Sequence, residues 1–244
     1  MAILAIRKFP RYFRDLRTLK DQSKSAPDGF PLSRLFPCLG DGSANSGTAK
    51  GHYFHQDLLV ARRIFLNQPK HHVDVGSRVD GFVAHVACFR AIEVFDVRPL
   101  ASTTPNIHFA QGDFMVPLKN ELRDYCDSLS CLHALEHFGL GRYGDPVNFS
   151  GHLLGLDNLH GMLQAGGKLY LSVPIGPQRI EFNAHRVFAV AYLLECFRDR
   201  FRIDRFSYVD DAGDLHDNVP LADDGVQADF GCHFGCGIFE MTKA

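Results

Sequence analysis

Beyond Lys70 the chain alternates short apolar runs with stretches of helical period, and this alternation restricts the fold more than any other feature. Runs rich in β-branched and apolar residues predict strands at Val73–Val75, Ile92–Val97, Ile107–Ala110, Ser128–His133 and Lys168–Val173. Helical spacing predicts helices over Gly81–Ala91, Gly151–Leu163 and Ala184–Phe197, with another, Tyr53–Asn67, leading into the first strand and closed by Pro69. Strands separated by helices imply a doubly wound, mostly parallel sheet covered on both faces. Two late runs, Arg202–Val209 and Phe234–Met241, have no helical pattern between them and are expected to form an antiparallel pair at a sheet edge.

Two strand ends stand out. His72-Val73-Asp74-Val75-Gly76-Ser77-Arg78 and Val94-Phe95-Asp96-Val97-Arg98-Pro99 each deliver an acid and a turn to the carboxyl end of a strand. Ligands of parallel sheets bind at that end, where a glycine lets backbone approach closely and a carboxylate accepts ribose hydroxyls. The pattern points to a nucleoside-bearing ligand. Asp96 has a plainer alternative, which is to open the turn before Arg98-Pro99.

The 244 residues, 45% of them hydrophobic, suit one sizeable domain plus an extension. A formal charge of −2 gives no general drive toward nucleic acid. Seven scattered cysteines, several within apolar runs, fit a reducing, cytoplasmic setting better than secretion. No stretch is as long and apolar as a membrane span requires. Residues 1–50 divide into a basic amphipathic helix over Met1–Lys20, suited to a packed or lid-like role or to peripheral membrane contact, and a Ser/Gly/Pro-rich loop; residues 51–244 form the α/β domain.

The order Asp74-Val75-Gly76, Asp96, Gly112-Asp113, Asp127 to His137, then Leu163-Gln164-Ala165-Gly166-Gly167-Lys168-Leu169 resembles class I S-adenosylmethionine-dependent methyltransferases. More narrowly, His52-Tyr53-Phe54-His55-Gln56-Asp57, the run Glu136-His137-Phe138-Gly139-Leu140-Gly141-Arg142-Tyr143-Gly144-Asp145 and Phe182-Asn183-Ala184-His185-Arg186 resemble an uncharacterised methyltransferase-like family, domain of unknown function 268. This resemblance implies a Rossmann-like seven-strand sheet and S-adenosylmethionine as cofactor. It places Asp74 and Gly76 at the methionine end, Asp96 on the ribose, Gly112 and Asp113 near the adenine, and His133 at the cleft wall. It also implies an acceptor, small or glycan-linked, methylated on oxygen or nitrogen. The first loop departs from the pattern, because Ser77, Arg78, Val79 and Asp80 stand where further glycines are usual.

An acceptor that attacks a sulfonium methyl group must lose a proton, so a base near the fourth and fifth strands is expected. His137 and Glu136 are the first candidates and His185 the next. Arg142, Tyr143, Asn183 and Arg186, in the same motifs, are the substrate-binding candidates, with the guanidinium groups suited to an anion or to bracing a loop. Two other classes compete. One is a catalytically silent module that binds a nucleoside ligand, favoured by the irregular glycine loop. The other is a zinc hydrolase using His133-x-x-Glu136-His137, which needs a helix that Gly139 and Gly141 leave little room for. Cys232-His233-Phe234-Gly235-Cys236 lacks the second ligand pair of a zinc knuckle and reads as a buried strand start, so no metal is expected.

Overall fold

The computed structural model describes residues 8–26 and 29–244, which divide into two compact units, 1–48 and 49–244. In the first, helix α1 (Phe9–Ser23) begins with Pro10 in its first turn and buries none of its residues. Phe9 stacks on Phe13 at 5.9 Å along one side. The helix runs later than expected, and the part of the expectation before Lys8 lies outside the described residues.

The second unit is an α/β domain. Its helix α2 (His52–Asn67) leads to β1 (His72–Val75), then a short π-helical turn (Val79–Val83) and α3 (Ala84–Ala87). Strands β2 (Ile92–Asp96), β3 (Ile107–Gln111) and β4 (Cys126–Leu132) follow, then α4 (Gly151–Met162) and β5 (Leu163–Ile175). A two-stranded hairpin, β6 (Arg179–Glu181) and β7 (His185–Val187), precedes α5 (Val190–Phe197). The chain ends with β8 (Phe201–Val209), β9 (Leu215–His216), α6 (Asp223–Gln227) and β10 (Gly235–Lys243).

The main sheet has the order β3-β2-β1-β4-β5-β10-β8-β9. β1 to β5 are parallel, and β10 runs antiparallel between β5 and β8. The two late runs are thus an antiparallel pair, and the two-residue β9 adds an eighth strand to the seven expected. The strand order reverses between β1 and β4, which leaves a crevice outside their carboxyl ends.

Each sheet face has its own core. Val73, Leu129, Leu171 and Phe239 pack under α4 and α5 with Leu159 and Phe197. Val94, Leu132, Tyr170 and Ile238 pack under α2 and the π-turn with Val60, Ile64 and Phe82. Between the second set runs a band of buried polar side chains, His72, Asp74, Ser128, Ser130 and Ser172, which bond to one another or to neighbours of the same layer. That band explains why β1 and β4 read as apolar runs broken by polar residues, since period-two alternation puts the polar residues on one face.

Two helices are shorter than their sequence pattern. The one expected over Gly81–Ala91 is the π-turn plus four residues of α3, with Gly81 outside helical geometry (φ −122°, ψ −106°). The one expected over Ala184–Phe197 starts only at Val190, because His185–Val187 pairs with Arg179–Glu181. A tertiary contact sets that start: Val190 N–H donates to Asp229 Oδ1 at 2.7 Å.

Candidate functional site

A cleft of about 650 Å³ opens at the carboxyl ends of the parallel strands. Its floor begins with the loop after β1. Gly76 has φ +76°, and a Cβ there would lie 2.8 Å from the Ala134 Cβ, so the turn has no room for a side chain. Asp74 is sealed beneath this loop and does not line the cleft. It accepts from Ser77 N–H at 3.0 Å, Ser77 Oγ at 2.6 Å and Ser130 Oγ at 2.6 Å, and so holds the loop from below. The expected ligand contact at Asp74 is thus a support, because its buried carboxylate is taken up by Ser77 and Ser130. Arg78 bonds to Asp80 at 3.0 Å and lies over the Tyr53 ring, 5.0 Å from its centroid.

Burial shifts several of these groups. Asp74 is pushed up to about 6, chiefly by desolvation against three hydrogen bonds. His72, which bonds to Ser128 and Ser130, is pushed down to about 3, and His152 to about 4, also by burial. An unfolded chain protonates its histidines near 6.5. The two depressed histidines therefore contribute stability that is complete above pH 6.5 and is lost as pH falls toward 4 and 3. Raised Asp74 has the opposite sign, with a contribution present below about 3.8 and lost as pH rises through 6. With His52, also pushed down to about 4 by burial, the unfolded chain binds about two net protons more between pH 6 and 4, a loss of about 2.7 kcal/mol per pH unit. Urea unfolding at pH 7 and pH 5 should show a lower midpoint at pH 5, with a shallower dependence in His72→Gln; an unchanged midpoint contradicts this balance.

At the end of β2, Asp96 accepts three bonds from Arg98: from the backbone N–H at 2.8 Å, Nε at 3.0 Å and Nη2 at 2.6 Å. The Arg98 guanidinium also covers the Tyr143 ring at 4.5 Å. Gly112 and Asp113 line the same wall; Gly112 N–H donates to Asp96 O at 3.0 Å, and Asp113 accepts from Met115 N–H at 2.8 Å.

The opposite wall is a histidine-rich layer. His133 holds a left-handed conformation (φ +49°), fixed by its N–H on Ser172 O and Oγ at 3.0 and 3.1 Å. Its Nδ1 meets Glu136 Oε1 at 2.8 Å, and the same oxygen lies 3.7 Å from His137 Nε2. Glu136 is fully buried between the two imidazoles; burial would raise its carboxyl, but His133 and His137 hold it lower than usual. Burial would lower His133, yet Cys236 and Glu136 keep it well above the ordinary imidazole value. His137 ends below that value, because burial outweighs Glu136. Its Nδ1–H donates to Ala184 O at 2.7 Å. Of the competing zinc motif His133-x-x-Glu136-His137, Glu136 and His137 lie on a 3-10 turn and His133 precedes it, with the carboxylate bridging the imidazoles instead of standing apart from them as in a helical zinc motif.

Arg142, Tyr143 and His185 line the cleft, and Arg142 Nη1 donates to Ala184 O at 2.9 Å. His185 faces Glu181 at 3.2 Å and packs on Phe234. Asn183 is not part of the lining. Neither is Arg186, whose buried guanidinium donates to the carbonyls of Glu136, Phe138, Asn148 and Phe149. It braces the loop that carries Glu136 and His137, which is the bracing alternative open in the sequence. His52, Tyr53 and Phe234 belong to the wall and carried no role in the sequence reading; His52 stacks on His133 at 5.3 Å and 8°.

Comparison with known proteins follows this geometry. The family described as "Caenorhabditis protein of unknown function, DUF268" matches residues 112–214. N-methyltransferase NodS from Bradyrhizobium japonicum WM9, solved with S-adenosyl-L-homocysteine, superposes with a TM-score of 0.52 over 91% of this chain and 95% of its own, at 13% identity. The domain has the class I methyltransferase fold. Burkholderia thailandensis 1,6-didemethyltoxoflavin-N1-methyltransferase shares this fold (TM-score 0.53, 15% identity, 80% of this chain and 79% of that one). The [4+2]-cyclase SpnF shares it too (TM-score 0.54, 14% identity, 78% and 80%), so a methyltransferase fold also hosts a different chemistry. Sequence comparison with curated proteins gives no match. The family match begins at Gly112, so the likeness of the His52–Asp57 motif to that family lies outside it. No helix of the methyltransferase-fold domain, or of the other described residues, is long and apolar enough to cross a membrane.

Proposed function

We propose that the domain binds S-adenosylmethionine and transfers its methyl group to oxygen or nitrogen of a small or glycan-linked acceptor. The observation that carries this reading is the cleft itself: it lies at the β1/β4 reversal with a side-chain-free turn at Gly76, a carboxylate at Asp96, and an imidazole held in its neutral form at His137. Gly76 would face the methionine end, and Asp96, Gly112 and Asp113 would hold the nucleoside. Bound there, S-adenosylmethionine supplies an electrophilic methyl on a sulfonium. His137 accepts the proton that the acceptor heteroatom gives up, and the imidazolium so formed faces the buried Glu136 carboxylate. Fixing Nδ1–H on Ala184 O leaves Nε2 as the basic nitrogen. Tyr143 and Arg142 border the acceptor side, with His185 nearby.

The first test is calorimetric titration of the purified chain with S-adenosylmethionine and S-adenosylhomocysteine, followed by methyl transfer into an acceptor panel. Absence of binding to either compound rejects the reading. His137→Ala should lower the transfer rate by about 10²- to 10⁴-fold while leaving cofactor affinity unchanged. With this base depressed below its ordinary value by burial, the acid limb of the rate should lie at lower pH than that of a free imidazole.

The clasp of Arg98 on Asp96 favours a second reading, a catalytically silent nucleoside-binding module, because both carboxylate oxygens already have donors. Tight binding with no transfer to any acceptor would favour it. A cytoplasmic setting is supported by seven unpaired cysteines, and the basic residues and exposed phenylalanines of α1 support peripheral contact with an anionic lipid surface.

A further inference from the structure

We infer that His52, His133 and Cys236 form a zinc site in the wall of the cleft. Among the described residues these three side chains bring their ligand atoms within 4.8 Å of one another, two imidazole nitrogens and one sulfur. They come from three distant parts of the chain: the first turn of α2, the end of β4 and the start of β10. The His133 side chain is only 6% exposed, and its buried Nε2 has no oxygen or nitrogen partner, only the sulfur of Cys236 close by. A buried polar atom with no partner is costly, and a cation on that lone pair would satisfy it.

The surroundings suit a metal ligand. His133 Nδ1 is tied to Glu136 Oε1 at 2.8 Å, which fixes the ring and leaves Nε2 as the coordinating nitrogen, the carboxylate–histidine–metal arrangement. His52 stacks parallel to His133, so the two rings are already aligned. Cys236 is fully buried and otherwise makes only weak sulfur contacts, to Gln56 Oε1 at 3.7 Å and Gly237 O at 3.9 Å. Two nitrogens and a thiolate match zinc, which takes three protein ligands and an exchangeable fourth group in its open sites. An ion would draw the three ligand atoms together by roughly 1 Å. His52 and His133 both line the cleft, so the fourth position falls to water or to a donor group of a ligand bound there. Binding releases the Cys236 thiol proton, and any proton on His133 Nε2, to solvent.

The test of this site does not depend on methyl transfer. The chelator-treated full chain is titrated with Zn²⁺ by calorimetry and with Co²⁺ by absorption, where a thiolate ligand gives a near-ultraviolet charge-transfer band. The expected result is one equivalent of Zn²⁺ and a cobalt band, both retained in Cys88→Ser, an exposed cysteine away from the cleft. Cys236→Ser should abolish the band and weaken Zn²⁺ at least 100-fold, and His52→Ala should weaken it comparably. Glu136→Gln should cost about 10- to 100-fold. No stoichiometric binding by the wild-type chain overturns the inference, as does binding that survives both Cys236→Ser and His52→Ala. Either result leaves the S-adenosylmethionine titration untouched, so the two readings fail separately.

Discussion

Asp96→Ala should weaken S-adenosylmethionine about 10- to 150-fold in calorimetry, whereas Arg98→Ala should strengthen it a few-fold. The first effect follows from the loss of the charge-assisted contact between a carboxylate and a ribose diol, of order 1.5–3 kcal/mol in total once the Arg98 donors it displaces are counted. The second follows from competition. Asp96 is nearly buried, while the Arg98 side chain that clasps it is about half exposed and lies over Tyr143. A diol must displace those guanidinium donors, so part of the binding energy goes into opening the clasp. Arg98→Ala removes that cost. If both variants bind like the wild type, Asp96 serves only its turn and the nucleoside reading of β2 falls; if Arg98→Ala binds more weakly, the guanidinium is itself a ligand contact.

The largest loss of stability is expected for Arg186→Met, about 3–5 kcal/mol. The carbonyls of Glu136, Phe138 and Phe149 accept from this one guanidinium, with the shortest contact 2.6 Å to Phe138 O, while a fourth, Asn148 O, also accepts from Gly151 N–H at 3.0 Å. Hydrogen bonds to charged donors contribute about 1.5–3 kcal/mol each, and methionine fills the space while donating nothing, so the first three carbonyls are left unsatisfied. Denaturant titration followed by circular dichroism measures this directly. A substrate-binding arginine would behave otherwise, with near-unchanged stability and a raised acceptor KM.

The contrast between these residues indicates what a sequence of this kind discloses. Strands β1, β2, β3 and β4 were legible because buried parallel strands are short β-branched runs; Gly76 and Asp96 were read from their carboxyl ends, whereas Gly112 came only from the family resemblance, and all three line the cleft. Whether an acid near such an end faces the ligand or the core turns on a single residue of register. That is why Asp74, two positions before Gly76, reads like a ligand contact and is a support. Helical spacing over Ala184–Phe197 did not reveal that His185–Val187 would pair with Arg179–Glu181, because tertiary pairing overrides local propensity. The wall built from His52, His133, Phe234 and Cys236 has no linear signature, since its members meet only after β10 inserts beside β5.

The polar band along β1 and β4 has a consequence for folding fidelity. An all-aliphatic pair of central strands would tolerate slippage at modest cost, but here a shift by one residue would turn His72, Asp74, Ser128 and Ser130 into the aliphatic face beneath α4. Their mutual bonds would be lost and their desolvation left uncompensated. The band therefore acts as a key that admits one alignment of the two central strands, and the turn at Gly76 is formed only in the chain that has found it.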